Sequence, residues 1–286
     1  MLAPPMRLVT YDVGHGPRAG VLFADRIVDA WALLGGPAGS APTLGTLLRA
    51  GRLGDLADVE KGPSVAAADA RLLPPITDPD KIVCIGLNYS DHAEESGMDA
   101  PEAPTFFPKY RNALAPPAAE VALPPWSQQV DYEAEVAFVI GEHCKDVLES
   151  EALSKIAGYT LLNDLSARDY QFMTPQWAPG KVFDGSAPCG PALVTADEAG
   201  DPAAIGIELE LNGETMQSST TANLIHSVPA LVAFLSKLMT LAPGDIVSTV
   251  TPAGVGMSRD PQVWLKPGDV AVVSSPQLGR LETRLV

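Results

Sequence analysis

Glu133 and Glu135, set in Tyr132-Glu-Ala-Glu-Val136, stand two residues apart in a stretch with strand-like alternation, so their side chains share one face. Two carboxylates are thus aimed at one point. A third, Asp164, opens Asp164-Leu-Ser-Ala-Arg168-Asp-Tyr-Gln171, where a helix would place Asp164, Arg168 and Gln171 on one stripe. Three carboxylates suit a hard divalent cation such as Mg2+ or Mn2+, with Ca2+ a further option, because such ions take oxygen ligands and keep positions for water and substrate. Each motif also has a plain reading. The Asp-x-Glu-x-Glu alternation marks the wet face of many half-buried strands, and Asp164 can simply cap a helix.

Other residues could serve the same centre. His92 precedes Glu95 by three positions, so in a helical turn the carboxylate orients and polarises the imidazole, giving a base with its partner. The bland alternative is a solvent-facing histidine on an acidic helix. Lys181 lies in Pro179-Gly-Lys181-Val-Phe-Asp184-Gly-Ser-Ala-Pro188, whose Gly and Pro content lets the chain approach a ligand closely, although a surface lysine is the default. Thr251 sits in Ser248-Thr-Val-Thr251-Pro-Ala-Gly-Val-Gly256, a run of hydroxyls and backbone N–H groups able to grip a carboxylate. The run Gly14-His-Gly16-Pro-Arg-Ala-Gly20 is one residue too long for a dinucleotide fingerprint, and neither a nucleophile elbow nor a phosphate-binding lysine loop is present.

The elements that must position these residues belong to a chain of 286 residues, 46% hydrophobic and 19% charged, long enough for a large globular core. Thirty-five acidic against nineteen basic residues give a net charge of -16, which repels phosphate backbones and anionic membranes. Nucleic acid and membrane are therefore excluded as expected partners. Cys84, Cys144 and Cys189 are far apart and offer neither a disulfide framework nor a zinc knuckle. With no apolar leader and no run of membrane-spanning length, a reducing cytoplasm is the expected location.

Residues from about Met6 to Val28 alternate in strand fashion around a turn at Gly14–Arg18, and Thr43 to Glu60 carries helical spacing. These make a small α+β unit. Ala- and Pro-rich sequence from Gly62 to Asp80 reads as a linker, dividing a small N-terminal domain, residues 1–76, from a larger one, residues 77–286. Beyond the boundary, strands are expected at Lys81–Gly86, Val130–Ile140 and Ile207–Leu211, the last before an Asn212-Gly213 turn. Helices are expected at Ser150–Gly158, Asp164–Phe172 and Val228–Met239. The last is capped by Ser227, with Leu231, Phe234, Leu235 and Leu238 facing the core. Pro-Gly-Asp turns at Pro243–Asp245 and Pro267–Asp269 each lead into a strand.

Five ordered segments then match a family. Lys81-Ile-Val-Cys-Ile-Gly-Leu-Asn-Tyr-Ser-Asp-His92, Tyr-Glu133-Ala-Glu135-Val, Asn163-Asp164-Leu-Ser-Ala-Arg168-Asp-Tyr-Gln171, Gly180-Lys181-Val-Phe-Asp-Gly and Thr249-Val-Thr251-Pro-Ala-Gly-Val-Gly together resemble the fumarylacetoacetate hydrolase superfamily. The resemblance spans residues 80 to 286 and implies an α+β chain whose catalytic domain is a mixed β-sandwich roll, commonly in a homodimer. It implies Mg2+ or Mn2+ at Glu133, Glu135 and Asp164. His92 and Glu95 match the base and its partner, on a segment that orders over the substrate. Arg168, Gln171 and Lys181 match residues that stabilise developing negative charge, and Thr251 matches a substrate-carboxylate contact.

The reaction implied first is hydrolysis of a carbon–carbon bond in an acylpyruvate or fumarylacetoacetate-like diketo acid. A metal chelating the carboxylate and 2-oxo group stabilises the pyruvate enolate that leaves, while His92 activates water. The same enolate also serves a 2-oxoacid decarboxylase and an enol–keto isomerase, and both stay open. A non-catalytic metal-binding member is disfavoured because His92, Glu95 and Lys181 all remain. Two positions depart from the family pattern. Val250 stands where glycine is usual, and Ser186 where an aromatic is usual. A valine disfavours positive φ, and a lost ring opens a wall, so the expectation is a reshaped, more open and more polar site for a larger or differently substituted 2-oxo acid.

Overall fold

The computed structural model describes residues 6–37, 39, 41–90, 95 and 102–286. Among them a large mixed sheet runs, in spatial order, through Ser64–Ala66, Arg26–Asp29, Arg18–Phe23, Arg7–Asp12, Ala187–Thr195, Ile156–Asn163, Ala134–Ile140, Ile246–Ser248, Ile82–Gly86 and Thr105–Lys109. A second sheet is ordered Glu214–Thr220, Gly206–Leu211, Val270–Ser275, Gly279–Leu285 and Ala119–Val121. The two pack face to face, so the chain is an α+β protein built on a mixed β-sandwich roll.

Alternation explains the layering. In Ala134–Ile140 every residue is buried, with Val136, Phe138 and Ile140 directed to the core beneath the second sheet. Ala137 and Val139 point to the opposite core, which also holds Leu44, Leu47 and Leu48 of the N-terminal helix Leu44–Arg49. A strand covered on both faces reads as a nearly unbroken apolar run, and this one carries Glu135 inside it. The helix Val228–Leu238 begins at Ser227, whose hydroxyl accepts from Ala230 N, and buries Val228, Leu231, Val232 and Leu235. Leu238 is exposed instead of core-facing, and Phe234 is half-buried.

Several expectations are corrected. The Ala- and Pro-rich stretch after Gly62 is not bare linker, because Ser64–Ala66 and Arg71–Leu73 pair with Arg26–Asp29 and Arg7–Asp12. Arg7–Asp12 itself pairs with Ala187–Thr195, so the N-terminal strands extend the central sheet. The helix read at Ser150–Gly158 is a single turn, Glu149–Ala152, followed by a 3-10 turn and then the strand Ile156–Asn163. Its Ile, Tyr and Leu side chains find better packing in the sheet than on a helix.

Candidate active site

Sheet register, not helix periodicity, brings Asp164 to the glutamates. Ala134 lies opposite Asn163 in an antiparallel pair, and Asp164 N donates to Glu133 O at 2.9 Å. Asp164 follows the strand directly, and the helix expected from it is only the turn Arg168–Gln171, capped by Ala167. That turn still joins Arg168 and Gln171, since Arg168 Nη1 donates to Gln171 Oε1 at 3.0 Å. Glu133 itself sits just before the strand Ala134–Ile140.

All three carboxylates are buried, and Glu133 and Asp164 meet cations. Lys181 Nζ donates to Glu133 Oε2 at 2.7 Å and to Asp164 Oδ2 at 2.9 Å. Arg168 Nη2 lies 2.7 Å from Glu133 Oε1 and 2.8 Å from Asp131 Oδ2. Lys109 Nζ lies 2.7 Å from Asp164 Oδ1 and also donates to the carbonyls of Leu165, Lys181 and Ser186. Burial works against charge on Lys181, but Asp164 and Glu133 outweigh it and hold the ammonium above the ordinary lysine range. Arg168 is likewise kept charged against its burial by Glu133 and Asp131. Glu135 goes the other way: burial first, then the charges of Asp164 and Glu133, push its carboxyl well above the usual range, although the Ser248 hydroxyl donates to its Oε2.

This donor set fits a hard divalent cation. Glu135 Oε1 is buried with no hydrogen-bond partner among the described residues, and a cation there would relieve the repulsion from Asp164 and Glu133. Glu135 and Asp164 come within 4.8 Å of each other and of Cys84 Sγ. The expected third ligand, Glu133, is instead turned to Arg168 and Lys181, which link it to the same cluster.

Above this floor is a cavity of about 40 Å³, room for only a few water molecules, lined by Glu133, Arg168, Gln171 and Lys181 below and by Phe107, Phe172, Trp177, Val250 and Met257 at the walls. Trp177 lies on Gly86, where an added Cβ would stand 2.2 Å from the indole, so only glycine admits this roof. Phe107 meets Trp177 edge-on and places its ring 4.9 Å from Lys181 Nζ.

The remaining predicted residues fall as follows. Lys181 is on the short helix Ala178–Lys181 and is buried, not a surface lysine. His92 lies outside the described residues. Glu95 accepts from Gly254 N, at 3.0 Å and 3.2 Å to its two oxygens, tying it to the loop after Thr251. Thr251 is buried and accepts from Gln217. The expectations for Val250 and Ser186 are both corrected. Val250 takes φ +96 despite its branched side chain and narrows the cavity, and Ser186 lies beneath the site, its Oγ accepting from Lys109 Nζ at 2.9 Å. No wall is opened by Ser186.

Sequence reading missed Lys109, Asp131, Gln217 and Ser248. Asp131 is buried and binds Arg168 Nε at 2.9 Å, while its oxygens accept from the N–H groups of Gly256 and Met257 at 2.8 Å and 3.0 Å. It aims the guanidinium and anchors the loop at once. A usable signal existed for Lys109 alone: a charge ending the apolar run Thr105-Phe-Phe-Pro-Lys109 has no reason to be there unless it is paired.

Fold and site together define a β-roll protein whose central sheet carries a buried cluster of carboxylates and cations that fits an oxygen-liganded divalent ion. The chain belongs to the fumarylacetoacetate hydrolase family: the fumarylacetoacetate (FAA) hydrolase C-terminal model matches residues 81–286. It is 43% identical over 224 residues to the mitochondrial oxaloacetate tautomerase of Xenopus laevis, covering 78% of this chain and 70% of that one. Among solved structures, a fumarylacetoacetate hydrolase from Exiguobacterium antarcticum superposes with a TM-score of 0.88 at 33% identity over 98% of this chain and 99% of its own. Maleylpyruvate hydrolase from Sphingobium sp. SYK-6, in complex with manganese(II) and pyruvate, gives 0.82 at 31% identity over 98% and 99%.

Proposed function

We propose that this chain is a divalent-metal-dependent tautomerase that interconverts the enol and keto forms of a short 2-oxo diacid such as oxaloacetate. The observation that carries the reading is the small, apolar-walled cavity over Lys181 and Arg168, two buried cations that their carboxylate partners keep charged. Neither can serve as a base. Both can stabilise an oxygen that gains negative charge when a proton leaves the neighbouring carbon. A divalent ion at Glu133, Glu135 and Asp164 would add Lewis acidity towards the substrate's oxygens.

The base comes from His92 by the resemblance, with Glu95 tied to the loop after Thr251 by Gly254 N. His92 would take the C3 proton and return it to oxygen, with Thr251 gripping a carboxylate. Phe107 and Trp177 wall the cavity with apolar surface, which suits a proton transfer that consumes no water. Val250 narrows the space and favours a short acid over a long acyl chain. Similarity to the oxaloacetate tautomerase supports the same choice. Similarity to the manganese- and pyruvate-bound maleylpyruvate hydrolase supports the metal and keeps acylpyruvate hydrolysis as the second reading.

The test is to follow decay of the oxaloacetate enol by ultraviolet absorbance, with Mn2+, while mass spectrometry measures pyruvate. Acceleration without pyruvate release is expected, lost on chelation and lowered roughly 10²–10⁴-fold by His92→Ala, the size of general-base catalysis. Stoichiometric carbon dioxide would make it a decarboxylase. Cleavage of acetylpyruvate to acetate and pyruvate, with no effect on the enol, would restore the hydrolase reading.

A further inference from the structure

Gln217 occupies the buried inner side of the strand Glu214–Thr220, away from the cavity, yet it joins the residue between Glu133 and Glu135 to the loop at Thr251. Its Oε1 accepts from Ala134 N at 2.9 Å, at the residue between Glu133 and Glu135. Its Nε2 donates to Thr251 Oγ1 at 2.7 Å and to Pro252 O at 2.8 Å. The two ends of a side-chain amide are often ambiguous, but here the partners assign them, since a backbone N–H only donates and a carbonyl only accepts. Thr251 Oγ1 is therefore an acceptor in this bond. Its single proton must go elsewhere, and among the described residues no acceptor takes it.

We propose that Gln217 is a positioning residue: it commits the Thr251 hydroxyl to donate to a carboxylate oxygen of the bound 2-oxo acid, and sets the distance between that contact and the Glu133/Glu135 strand. The loop around Thr251 is built to receive this constraint. Gly254 has φ +101 and an added Cβ there would lie 2.2 Å from Met216 O, so the loop is pressed against the residue preceding Gln217. Arg259 Nη2 donates to the same Met216 oxygen at 2.6 Å. One amide thus couples the carboxylate-binding end to the metal-binding end, and losing it should cost substrate affinity without costing metal affinity.

The inference rests on the 2-oxo acid reading but is tested by binding, so a failure of tautomerase activity would not decide it. Calorimetric titration of pyruvate into the Mn2+-loaded protein, with Mn2+ affinity measured separately, is done on Gln217→Met, Thr251→Val and the double variant. Each single change should weaken pyruvate roughly 10- to 100-fold, as for one hydrogen bond to a charged group. The double variant should be no weaker than either, and Mn2+ affinity should stay within about 3-fold, as expected when the metal ligands are untouched. Additive losses, unchanged pyruvate binding in Gln217→Met, or parallel loss of Mn2+ would each overturn the proposal. If Gln217→Met does not fold, Gln217→Glu keeps the acceptor for Ala134 N and turns the Thr251 proton inward. Pyruvate binding should then fall as in Thr251→Val, and wild-type binding would refute the role.

Discussion

The floor of the cavity is locked by ionised side chains, whereas its rim, the loop from Thr249 to Arg259, is held mainly through backbone groups. On the floor, Glu133 and Asp164 share Lys181, Asp164 also holds Lys109, and Arg168 spans Glu133 and Asp131. On the rim, Thr249 bonds Val136 O at 2.8 Å through its hydroxyl, Tyr132 OH donates to Gly254 O at 3.1 Å, and Asp131 collects the N–H groups of Gly256 and Met257. The difference has a physical consequence. A buried charge tolerates no change of partner, but a loop gripped by its peptide groups accepts different side chains as long as the backbone path survives. Val250 illustrates this: it holds φ +96, a backbone conformation a β-branched residue rarely adopts.

The largest expected effect is on the floor. Lys109→Met would leave Asp164 short of a cation in a fully buried position and remove the donor from three carbonyls, so unfolding free energy should drop by about 3–5 kcal/mol in urea titrations. A loss under about 1 kcal/mol would mean the floor is not charge-locked. Glu135→Gln is next and has two signs. Without metal it removes a carboxyl that burial and its neighbours already disfavour as an anion, so the metal-free protein should gain about 1–2 kcal/mol. With metal it removes a ligand, so the rise in melting temperature on adding Mn2+ should vanish. Melts with and without Mn2+ that move together would break this account.

The smallest effect is on the rim. Val250→Gly gives up about 1.5–3 kcal/mol of buried apolar surface but releases about 1–3 kcal/mol of backbone strain. Stability should therefore change by no more than about 2 kcal/mol, with the two terms partly offset. The wider cavity should admit acids with longer chains, read as a lower KM for them relative to oxaloacetate. A loss above about 3 kcal/mol would show that no strain is stored at Val250 and that floor and rim are alike.

The acidic pair at Glu133 and Glu135 was legible because a two-residue period is a local property of any strand. Asp164 was legible as a participant for the wrong reason: a helical stripe was expected, and an antiparallel register placed it there. Lys181 was readable from its glycine-flanked loop, but its burial was not, because a lysine enters a core only when carboxylates from other elements are waiting. Ser186 looked like a missing wall and is a hydrogen-bond partner of Lys109. Gln217 gave no local sign at all, since its partners lie 34 and 83 residues away.

By itself the sequence determined the composition of the site, the spacing of its carboxylates, the strand and turn pattern around Asn212-Gly213 and the Pro-Gly-Asp corners, and the family to which these belong. Those properties depend on neighbours within a few residues. Tertiary structure alone decided which cation faces which carboxylate, that Glu135 keeps an oxygen without a partner among the described residues, that Val250 holds a glycine's backbone angle, and that Gln217 joins Ala134 to Thr251. Each of those depends on which distant strands lie side by side, and burial makes the outcome energetically large: in a dry core an unmatched charge or hydrogen bond costs kilocalories, so the chain adopts a register that pairs most of them.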